Sequence, residues 1–374
     1  MIKRIIDGLL QNRIGKGKAI ILMGARQVGK TTVLKRIFDD NDDVLWLNAD
    51  EQDVRNIFEN ATSTRLAAFF RSKKIVVIDE AQRIADIGIK LKLITDQMPQ
   101  IQLVATGSSS FELANRTNEP LTGRKWEFKM FPLTFGEMAE HNGLLEEKRM
   151  LVHRLVYGYY PEVVSKPEDE EALLKMLANS YLYKDIFTIE SIHRPEKVVK
   201  LLQALAYQIG SEVSYNELAQ MCSMDSKTVE KYISLLEQAY IIFRLPTYSK
   251  NLRNELKNGR KIFFWDCGIR NAVIGNFLPM EQRTDAGALF ENFVIAERIK
   301  QNVYSSKDTT HWFWRTTTAQ EVDFLEISAA KMSAFEFKWN PKKAKITAPL
   351  SFRNAYPDVD YLTVTPENVE DFLM

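Results

Sequence analysis

In the N-terminal third of the chain, short apolar runs alternate with mixed segments, and this pattern predicts strands separated by helices. Four apolar runs predict buried strands, at Ala19–Met23, Val44–Asn48, Ile75–Glu80 and Gln102–Ala105. The amphipathic stretch VLKRIF and a second one over Thr62–Arg71 predict helices between these strands. Such alternation is typical of a parallel sheet with flanking helices, so the fold class we expect here is α/β.

The middle of the chain changes to helical periodicity. From Glu196 onward, apolar residues recur at three- and four-residue intervals, at Val198, Leu201, Leu202, Leu205 and Ile209. Ser214 with Glu217 predicts a capping box for a short helix, and Asp225 or Ser226 predicts the cap of a longer one. Two β-like runs, YIIFRLP and RKIFFWD, follow. This order predicts a winged helix-turn-helix.

One segment of the first module has a specific chemical signature. GARQVGKTT has the form G-x-x-x-x-G-K-[ST] and lies between a predicted strand and a predicted helix. The glycines let backbone N–H groups face a phosphate, Lys30 is predicted to reach the β- and γ-phosphates, and Thr31 to ligate Mg²⁺. The alternative is a chance glycine-rich turn. The predicted nucleotide contacts are Gly24, Ala25, Arg26, Gln27, Val28, Gly29, Lys30, Thr31 and Thr32.

Two carboxylates follow the third apolar run. Asp79 is predicted to hold Mg²⁺, directly or through water. Glu80 is placed to polarise an attacking water, which favours hydrolysis over binding alone. The alternative is a buried strand that ends in surface acids.

Three further residues are candidates for sensing or stabilising the phosphate. Ser108, after the fourth predicted strand, is the candidate γ-phosphate sensor, although an ordinary loop or helix cap explains a serine there equally well. Arg124, and with less support Arg26, are candidate arginine fingers. The alternative for each is a solvated or structural arginine, which is the more frequent case.

The C-terminal part carries acids and a lysine on two predicted strands, AQEVDFLEI and SAFEFKWN. A short turn centred between Ala329 and Ala330 would place Asp323 opposite Glu336 in an antiparallel pair. Lys338 lies two residues beyond Glu336 and therefore on the same strand face. Together with Glu291 in the helical stretch GALFENFVIAERI, these residues could bind Mg²⁺ and cleave a phosphodiester. The alternative is an ordinary pair of surface strands that carry acidic and basic side chains.

Composition excludes several classes of protein. Lys and Arg total 50 against 49 Asp and Glu, a net charge of +1 that excludes a generally basic nucleic-acid coat protein. With two cysteines, a four-cysteine metal site is impossible and a disulfide framework is not expected. The chain has neither an apolar run of ~20 residues nor a signal-like start, so we expect a cytoplasmic protein without membrane segments.

A local basic segment separates the two β-like runs of the middle region. It holds Lys250, Arg253, Lys257, Arg260 and Lys261 against Glu255. Such a wing is predicted to contact DNA phosphates. The candidate recognition helix has Lys227 and Lys231 offset by Glu230 and Glu237, and it lacks a cluster suited to base readout. The alternative is a winged helix that connects domains or contacts a protein.

The motifs taken together resemble a known family. GARQVGKTT, VVIDEAQ, ATGSSSFEL, TGRKWEFKMFPLTFGEM, YGYYPEVV, KTVEKYISLLE, GALFENFV, EVDF and EFKW occur in this order over nearly the whole chain. The chain is similar to prokaryotic AAA-like P-loop ATPases that carry a C-terminal domain of unknown function 4143. The resemblance implies an AAA-like core, a winged-helix middle and a small α/β domain similar to PD-(D/E)XK nucleases. Ala25 stands where the family usually has proline.

The resemblance also implies roles for individual residues. Lys30, Thr31, Asp79 and Glu80 match the Walker positions, while Asp323, Glu336 and Lys338 match the D…E-x-K pattern and Glu291 the helical acid. The sequence thus predicts three domains, over residues 1–154, 155–275 and 276–374. Two hypotheses stay open: an Mg²⁺-dependent ATPase coupled to DNA binding and possible cleavage, or an ATP-dependent switch that binds a protein partner on an inactive nuclease-like scaffold. Oligomerisation is possible in either case.

Overall fold

The structure divides into two compact units. The computed structural model describes residues 2–38, 41–107, 121–179, 194–249, 259–329, 331–344 and 347–374. One unit comprises Met1–Phe131 with Gln238–Tyr240, and the other Pro132–Glu237 with Ile241–Met374. The division into three domains, with boundaries after residues 154 and 275, stays a prediction. Within the described ranges, no helix combines the length and apolar character needed to cross a membrane.

The first unit is built on a five-stranded parallel sheet. Its strands are β1 (Ala19–Gly24), β2 (Val44–Asn48), β3 (Ile75–Asp79), β4 (Gln102–Gly107) and β5 (Lys125–Met130). The order across the sheet is β2-β3-β4-β1-β5. β1 and β4 lie inside the sheet and are buried along their whole length, which explains their apolar sequences. The four predicted strands are confirmed.

The strand β5 was not predicted from the sequence. It lies at the edge of the sheet and pairs only with β1 among the described strands. Its charged residues Lys125, Glu127 and Lys129 alternate with larger apolar ones, and most of the strand is partly exposed. An edge strand keeps polar side chains in water, so it lacks the continuous apolar run that marks its neighbours.

The helices of the first unit are α1 (Ile5–Gln11), α2 (Lys30–Phe38), α3 (Gln52–Phe58), α4 (Ser63–Phe70) and α5 (Ile87–Gln97). α2 follows β1 and buries Val33, Leu34 and Phe38, the apolar residues of the predicted amphipathic stretch. α4 begins after Thr62, whose hydroxyl accepts from the backbone N–H of Arg65 at 3.3 Å. Both predicted helices are therefore confirmed.

The second unit opens with helices and a small sheet. The helices α6 (Phe135–Asn142), α7 (Leu144–Arg149), α8 (Leu151–Tyr157), α9 (Pro161–Ser165) and α10 (Glu170–Leu177) come first. Then follow α11 (Pro195–Tyr207), β6 (Glu212–Val213), α12 (Tyr215–Cys222), α13 (Ser226–Gln238), β7 (Ile242–Pro246) and β8 (Arg260–Phe264). The strands form an antiparallel sheet in the order β6-β8-β7.

Side-chain caps start the two helices of the predicted helix-turn-helix. The Ser214 hydroxyl accepts from the backbone N–H of Glu217 at 3.4 Å, before α12. The Asp225 carboxylate accepts from the backbone N–H of Thr228 at 2.8 Å, at the start of α13. Both satisfy N–H groups that a helix leaves unpaired at its first turn. Ser214 is confirmed as the cap of α12, although the structure gives only its half of the predicted capping box with Glu217, and Asp225 rather than Ser226 supplies the second cap.

The C-terminal part of the second unit is a mixed sheet with helices. Its helices are α14 (Cys267–Ile274), α15 (Ala286–Tyr304), α16 (Leu350–Ala355) and α17 (Val369–Leu373). Its strands are β9 (Thr309–Arg315), β10 (Glu321–Ser328), β11 (Met332–Phe337) and β12 (Asp360–Val364), in the order β12-β11-β10-β9. β11 and β12 run parallel, and the other pairs are antiparallel. Phe324 lies opposite Phe335, which is the predicted register.

A substitution of Gly24, at the end of β1, tests how closely the backbones of β1 and β5 approach each other. A Cβ at this position would overlap the carbonyl oxygen of Met130, which belongs to the paired backbone of β5. We expect Gly24→Ala to lower the free energy of unfolding by about 1–3 kcal/mol, measured by urea denaturation. Gly8→Ala in α1 is the matched control, because its Cβ meets nothing within 4 Å. Equal midpoints for the two variants would contradict this account.

Candidate functional site

A loop with unusual backbone conformations joins β1 to α2. It runs from Gly24, the last residue of β1, to Lys30, the first residue of α2. Gln27 and Gly29 take left-handed backbone conformations, with φ of 55° and 96°. Only glycine adopts that conformation without steric cost, so Gly29 suits its place in the motif. The loop therefore lies at the carboxyl edge of the sheet, where parallel α/β proteins bind their ligands.

Lys30 folds back over this loop. Its ammonium donates to the carbonyl oxygens of Gly24 and Ala25, both at 2.8 Å, and the residue is only 5% exposed. A lysine is rarely buried without partners, so these two bonds hold the positive charge inside the loop. That charge and the N-terminus of α2, which has nine residues, both favour an anion at this place.

The two predicted metal ligands lie in direct contact. The Thr31 hydroxyl donates to the Asp79 carboxylate at 2.8 Å. The other oxygen of Asp79 accepts from the hydroxyl of Thr106, at the end of β4. The fourth strand thus contributes a site residue of its own. The sequence analysis chose Ser108 as the polar residue that follows this strand. Thr106 carried a signal too, because it is the first polar residue after the predicted strand Gln102–Ala105.

Glu80 follows Asp79 in a left-handed conformation, with φ of 52°. Its backbone N–H donates to the Thr106 hydroxyl at 3.2 Å, and its carboxylate accepts from the Gln82 side chain at 2.6 Å. A non-glycine residue held in this conformation costs about 1 kcal/mol or more and is frequent at functional sites. The surrounding bonds therefore fix the direction of the Glu80 carboxylate.

These residues fit a nucleotide with Mg²⁺. Hydroxyl and carboxylate oxygens are the ligands that Mg²⁺ takes in proteins, and Thr31 and Asp79 present both within one hydrogen bond. The Thr31 proton points to Asp79, so its lone pairs stay free for a cation. The loop and Lys30 supply the positive surroundings that a triphosphate requires.

Arg4 is a site residue that sequence reasoning missed. It lies just before α1 and is 5% exposed. Its guanidinium donates to the carbonyl oxygen of Val28 in the loop at 2.9 Å and to that of Phe131, after β5, at 2.8 Å. Arg4 thus links the nucleotide-binding loop to the end of the edge strand β5. It belongs to no motif and lies far from the loop in sequence, so nothing in the sequence pattern marked it.

Arg124 lies at the wrong edge of the sheet to act on its own nucleotide. Its carbonyl oxygen accepts from the backbone N–H of Ala19, at the amino end of β1. The loop follows Gly24 at the other end of this six-residue strand, about 16 Å away at ~3.3 Å per residue. The Arg124 guanidinium instead donates to Asp96 at 2.6 Å. The prediction of Arg124 as an arginine finger at its own loop is therefore wrong.

The remaining candidates of the first unit are Arg26 and Ser108. Arg26 is partly buried within the loop itself, and its role stays a prediction. Ser108 falls outside the described residues.

The predicted acids and lysine of the C-terminal part do converge. Asp323 on β10 and Glu336 on β11 are 8% and 6% exposed. The Lys338 ammonium lies 2.6 Å from a Glu336 oxygen and 3.9 Å from an Asp323 oxygen. The Asp323 carboxylate also accepts from the backbone N–H of Phe337 at 2.8 Å. This is therefore a buried cluster, and the alternative of a surface pair is wrong.

A second lysine enters the same cluster from the predicted wing. Lys261 on β8 is 2% exposed, and its ammonium lies 2.9 Å from Glu291 and 2.5 Å from Glu321. The prediction that Lys261 contacts DNA phosphates is therefore wrong, because its charge is buried among carboxylates. Arg260 packs on the Tyr215 ring at 4.7 Å and donates to its hydroxyl at 3.0 Å.

The charges of this cluster shift one another's titration. Burial and the neighbouring carboxylates of Glu291 and Glu336 raise the pKa of Asp323 to about 8. Burial also raises the pKa of Glu291. Burial works against the charged form of Lys261, yet the carboxylates around it raise the pKa of this lysine. An ammonium that stays charged therefore lies where the sequence predicted a divalent cation.

The predicted metal site does not fit this arrangement. Among the residues that the structure describes, no group of three His, Cys, Asp or Glu side chains is arranged to hold a metal ion. Lys261 binds Glu291, one of the three predicted ligands, and Lys338 binds Glu336. The predicted residues thus meet, but as ion pairs.

Fold and site together define the class of the first unit. A parallel sheet with flanking helices, a phosphate-binding loop and the Thr31–Asp79 pair make it a P-loop ATPase fold. Residues 16–139 match a family described as an AAA domain, and residues 148–279 match a domain of unknown function, DUF8612. Residues 286–371 match a domain of unknown function, DUF4143. The chain thus carries an AAA domain followed by a C-terminal DUF4143 domain, as the motifs indicated.

Two relatives and one solved structure are similar to this chain over most of its length. An uncharacterized protein of Haemophilus influenzae is 24% identical over 75% of this chain and 74% of its own length. An uncharacterized protein of Mycobacterium tuberculosis is 24% identical over 88% and 72%. The Walker-type ATPase of Pyrococcus abyssi has a similar fold, with a TM-score of 0.51 and 14% identity over 73% of this chain and 96% of that one.

Arg4 offers a test of how the loop is held. Arg4→Met removes two buried charge-assisted hydrogen bonds, so we expect the free energy of unfolding to fall by about 2 kcal/mol or more. Arg13→Met is the control, because Arg13 is exposed and packs on the Trp126 ring. Urea denaturation of both variants measures the difference. A loss in Arg4→Met no larger than in the control would contradict the structural role.

Proposed function

We propose that this protein binds ATP with Mg²⁺ and hydrolyses it. The hydrogen bond of Thr31 to Asp79 carries the proposal, because it pairs a loop hydroxyl with a strand-end carboxylate where the two would share a cation. Lys30 would neutralise the β- and γ-phosphates, and the loop N–H groups would bind their oxygens. Bound Mg²⁺ would supply charge stabilisation for the transferred phosphoryl group.

Glu80 is our candidate for the residue that orients the attacking water. Its carboxylate is held by Gln82 and its backbone by Thr106, and Thr106 also donates to Asp79. Thr106 therefore binds both Glu80, the proposed base, and Asp79, the proposed cation ligand, and it fixes the distance between them. Such positioning is what a general base requires, since the water must lie within hydrogen-bond reach.

Two substitutions separate binding from hydrolysis. We expect Lys30→Ala to lower ATP affinity and abolish turnover, because the loop loses its buried positive charge. We expect Glu80→Gln to bind ATP as the wild type does but to hydrolyse it about 10²-fold or more slowly. Phosphate release and equilibrium binding of a fluorescent ATP analogue measure the two effects.

The matched control is Lys35→Ala, which removes an exposed lysine from the same helix, α2. It should leave both affinity and turnover unchanged. Hydrolysis that persists in Lys30→Ala would overturn the ATPase assignment. A fully active Glu80→Gln would remove Glu80 from its role while leaving nucleotide binding in place.

A second proposal concerns what the ATPase acts on. The order α11, β6, α12, α13, β7, β8 supports a winged helix in the middle of the chain. Of its predicted basic wing, Lys250, Arg253 and Lys257 fall outside the described residues, as does Glu255. The two described members are engaged within the protein, Lys261 with Glu291 and Arg260 with Tyr215. This favours an ATP-dependent switch with a protein partner over DNA binding.

A binding measurement distinguishes the two partners. Phosphate contacts make DNA binding fall steeply with salt. For a switch, we expect a labelled DNA duplex to show no binding in fluorescence anisotropy even at ~20 mM salt, with or without ATP. Tight binding that weakens with salt, and that is lost when Lys227 and Lys231 on α13 are changed to Gln, would instead support the DNA hypothesis. The exposed Lys307→Gln serves as the control.

A further inference from the structure

Lys261 and the acids around it form a buried cluster of charges that the ATPase proposal does not use. The ammonium comes from β8 and reaches Glu291 on α15 and Glu321 on β10. The side chain is 3% exposed, and that of Glu291 13%. Three segments that are distant in sequence therefore meet around one lysine charge.

The Lys261 ammonium lies beside a side chain that was predicted to bind a metal ion. Glu291 and Asp323 were predicted as ligands of a divalent cation, and the charge of Lys261 acts on both of them. Lys338 covers the other side of the cluster, between Asp323 and Glu336. Each of the three predicted ligands thus faces an ammonium of the protein itself.

We propose that Lys261 occupies the cation position of the C-terminal domain, so that the acid cluster is a closed ion-pair network in place of a metal centre. A divalent cation placed beside Glu291 would meet the buried charge of Lys261 at close range, where little solvent screens the repulsion. The ammonium is covalently attached to strand β8, so it cannot dissociate as a bound ion can. The domain therefore carries its own permanent counter-ion.

A second observation shows that the cluster retains unused ligand capacity. Glu336 is 6% exposed, and within the described part of the chain its second carboxylate oxygen, Oε2, has no hydrogen-bond partner. Buried carboxylate oxygens are normally satisfied. Removal of the Lys261 charge would therefore leave Glu291 without this ammonium partner, an open oxygen on Glu336 and space where the ammonium was. A divalent cation would then supply the missing positive charge, because carboxylate oxygens are the ligands that hard divalent cations take in proteins.

The prediction is a gain of metal binding. Lys261→Met keeps most of the side-chain volume and removes the charge. We expect this variant to bind one Mn²⁺ per chain at least 10-fold more tightly than its parent, measured by calorimetry. Both chains carry Asp79→Asn, which removes the proposed Mg²⁺ ligand of the first unit. Adding Glu291→Gln should abolish the new site, and Lys331→Met, at an exposed lysine paired with Asp360, should create none.

Several outcomes would overturn the proposal. One is a parent chain that already binds Mn²⁺ and loses it on Asp323→Asn; another is a folded Lys261→Met that gains no binding. Loss of one partner of a buried pair destabilises a protein, so Lys261→Met/Glu321→Gln provides a balanced variant that keeps the three ligands. Circular dichroism with and without Mn²⁺ follows folding of both variants. If Mn²⁺ restores folding, a metal replaces the ammonium as proposed; if neither variant folds with Mn²⁺, the proposal fails.

Discussion

The nucleotide site depends on the two hydrogen bonds that the carboxylate of Asp79 accepts. Thr31 from the start of α2 and Thr106 from the end of β4 both donate to it. The sheet order makes this possible, because β4 lies between β1 and β3 and brings three strand ends to one edge. The two hydroxyl donors hold both oxygens of this carboxylate in place at the edge of the sheet.

The sequence predicted much of this site because its signals are local. The loop motif, the strand before it and the acids after β3 each occupy a few consecutive residues, so spacing alone identified Lys30, Thr31, Asp79 and Glu80. The inner strands were found because burial on both faces demands apolar side chains. β5 was missed because an edge strand carries no such demand, and its charged residues resembled a loop.

What the sequence did not predict depends on contacts between distant residues. Arg4 meets Val28 and Phe131 only after the sheet has formed. Lys261 looked like a surface cation because it belongs to a basic segment, yet the fold buries it against Glu291 and Glu321. The sign of a charge can be read from sequence, but its partner cannot. Arg124 shows the same limit, since its place in the chain did not reveal which edge of the sheet it occupies.

The burial of Lys261 also bears on where this chain can be divided. The family matches end at residue 279 and resume at residue 286, which invites separation into a middle and a C-terminal fragment. Lys261 would stay with the first fragment, and Glu291 and Glu321 with the second. In the first fragment the ammonium of Lys261 would lose both carboxylates, and an unpaired charge that stays buried costs about 3–5 kcal/mol. The boundary between the two family matches therefore cuts through a buried ion-pair network, so a division there separates charges that the folded chain holds together.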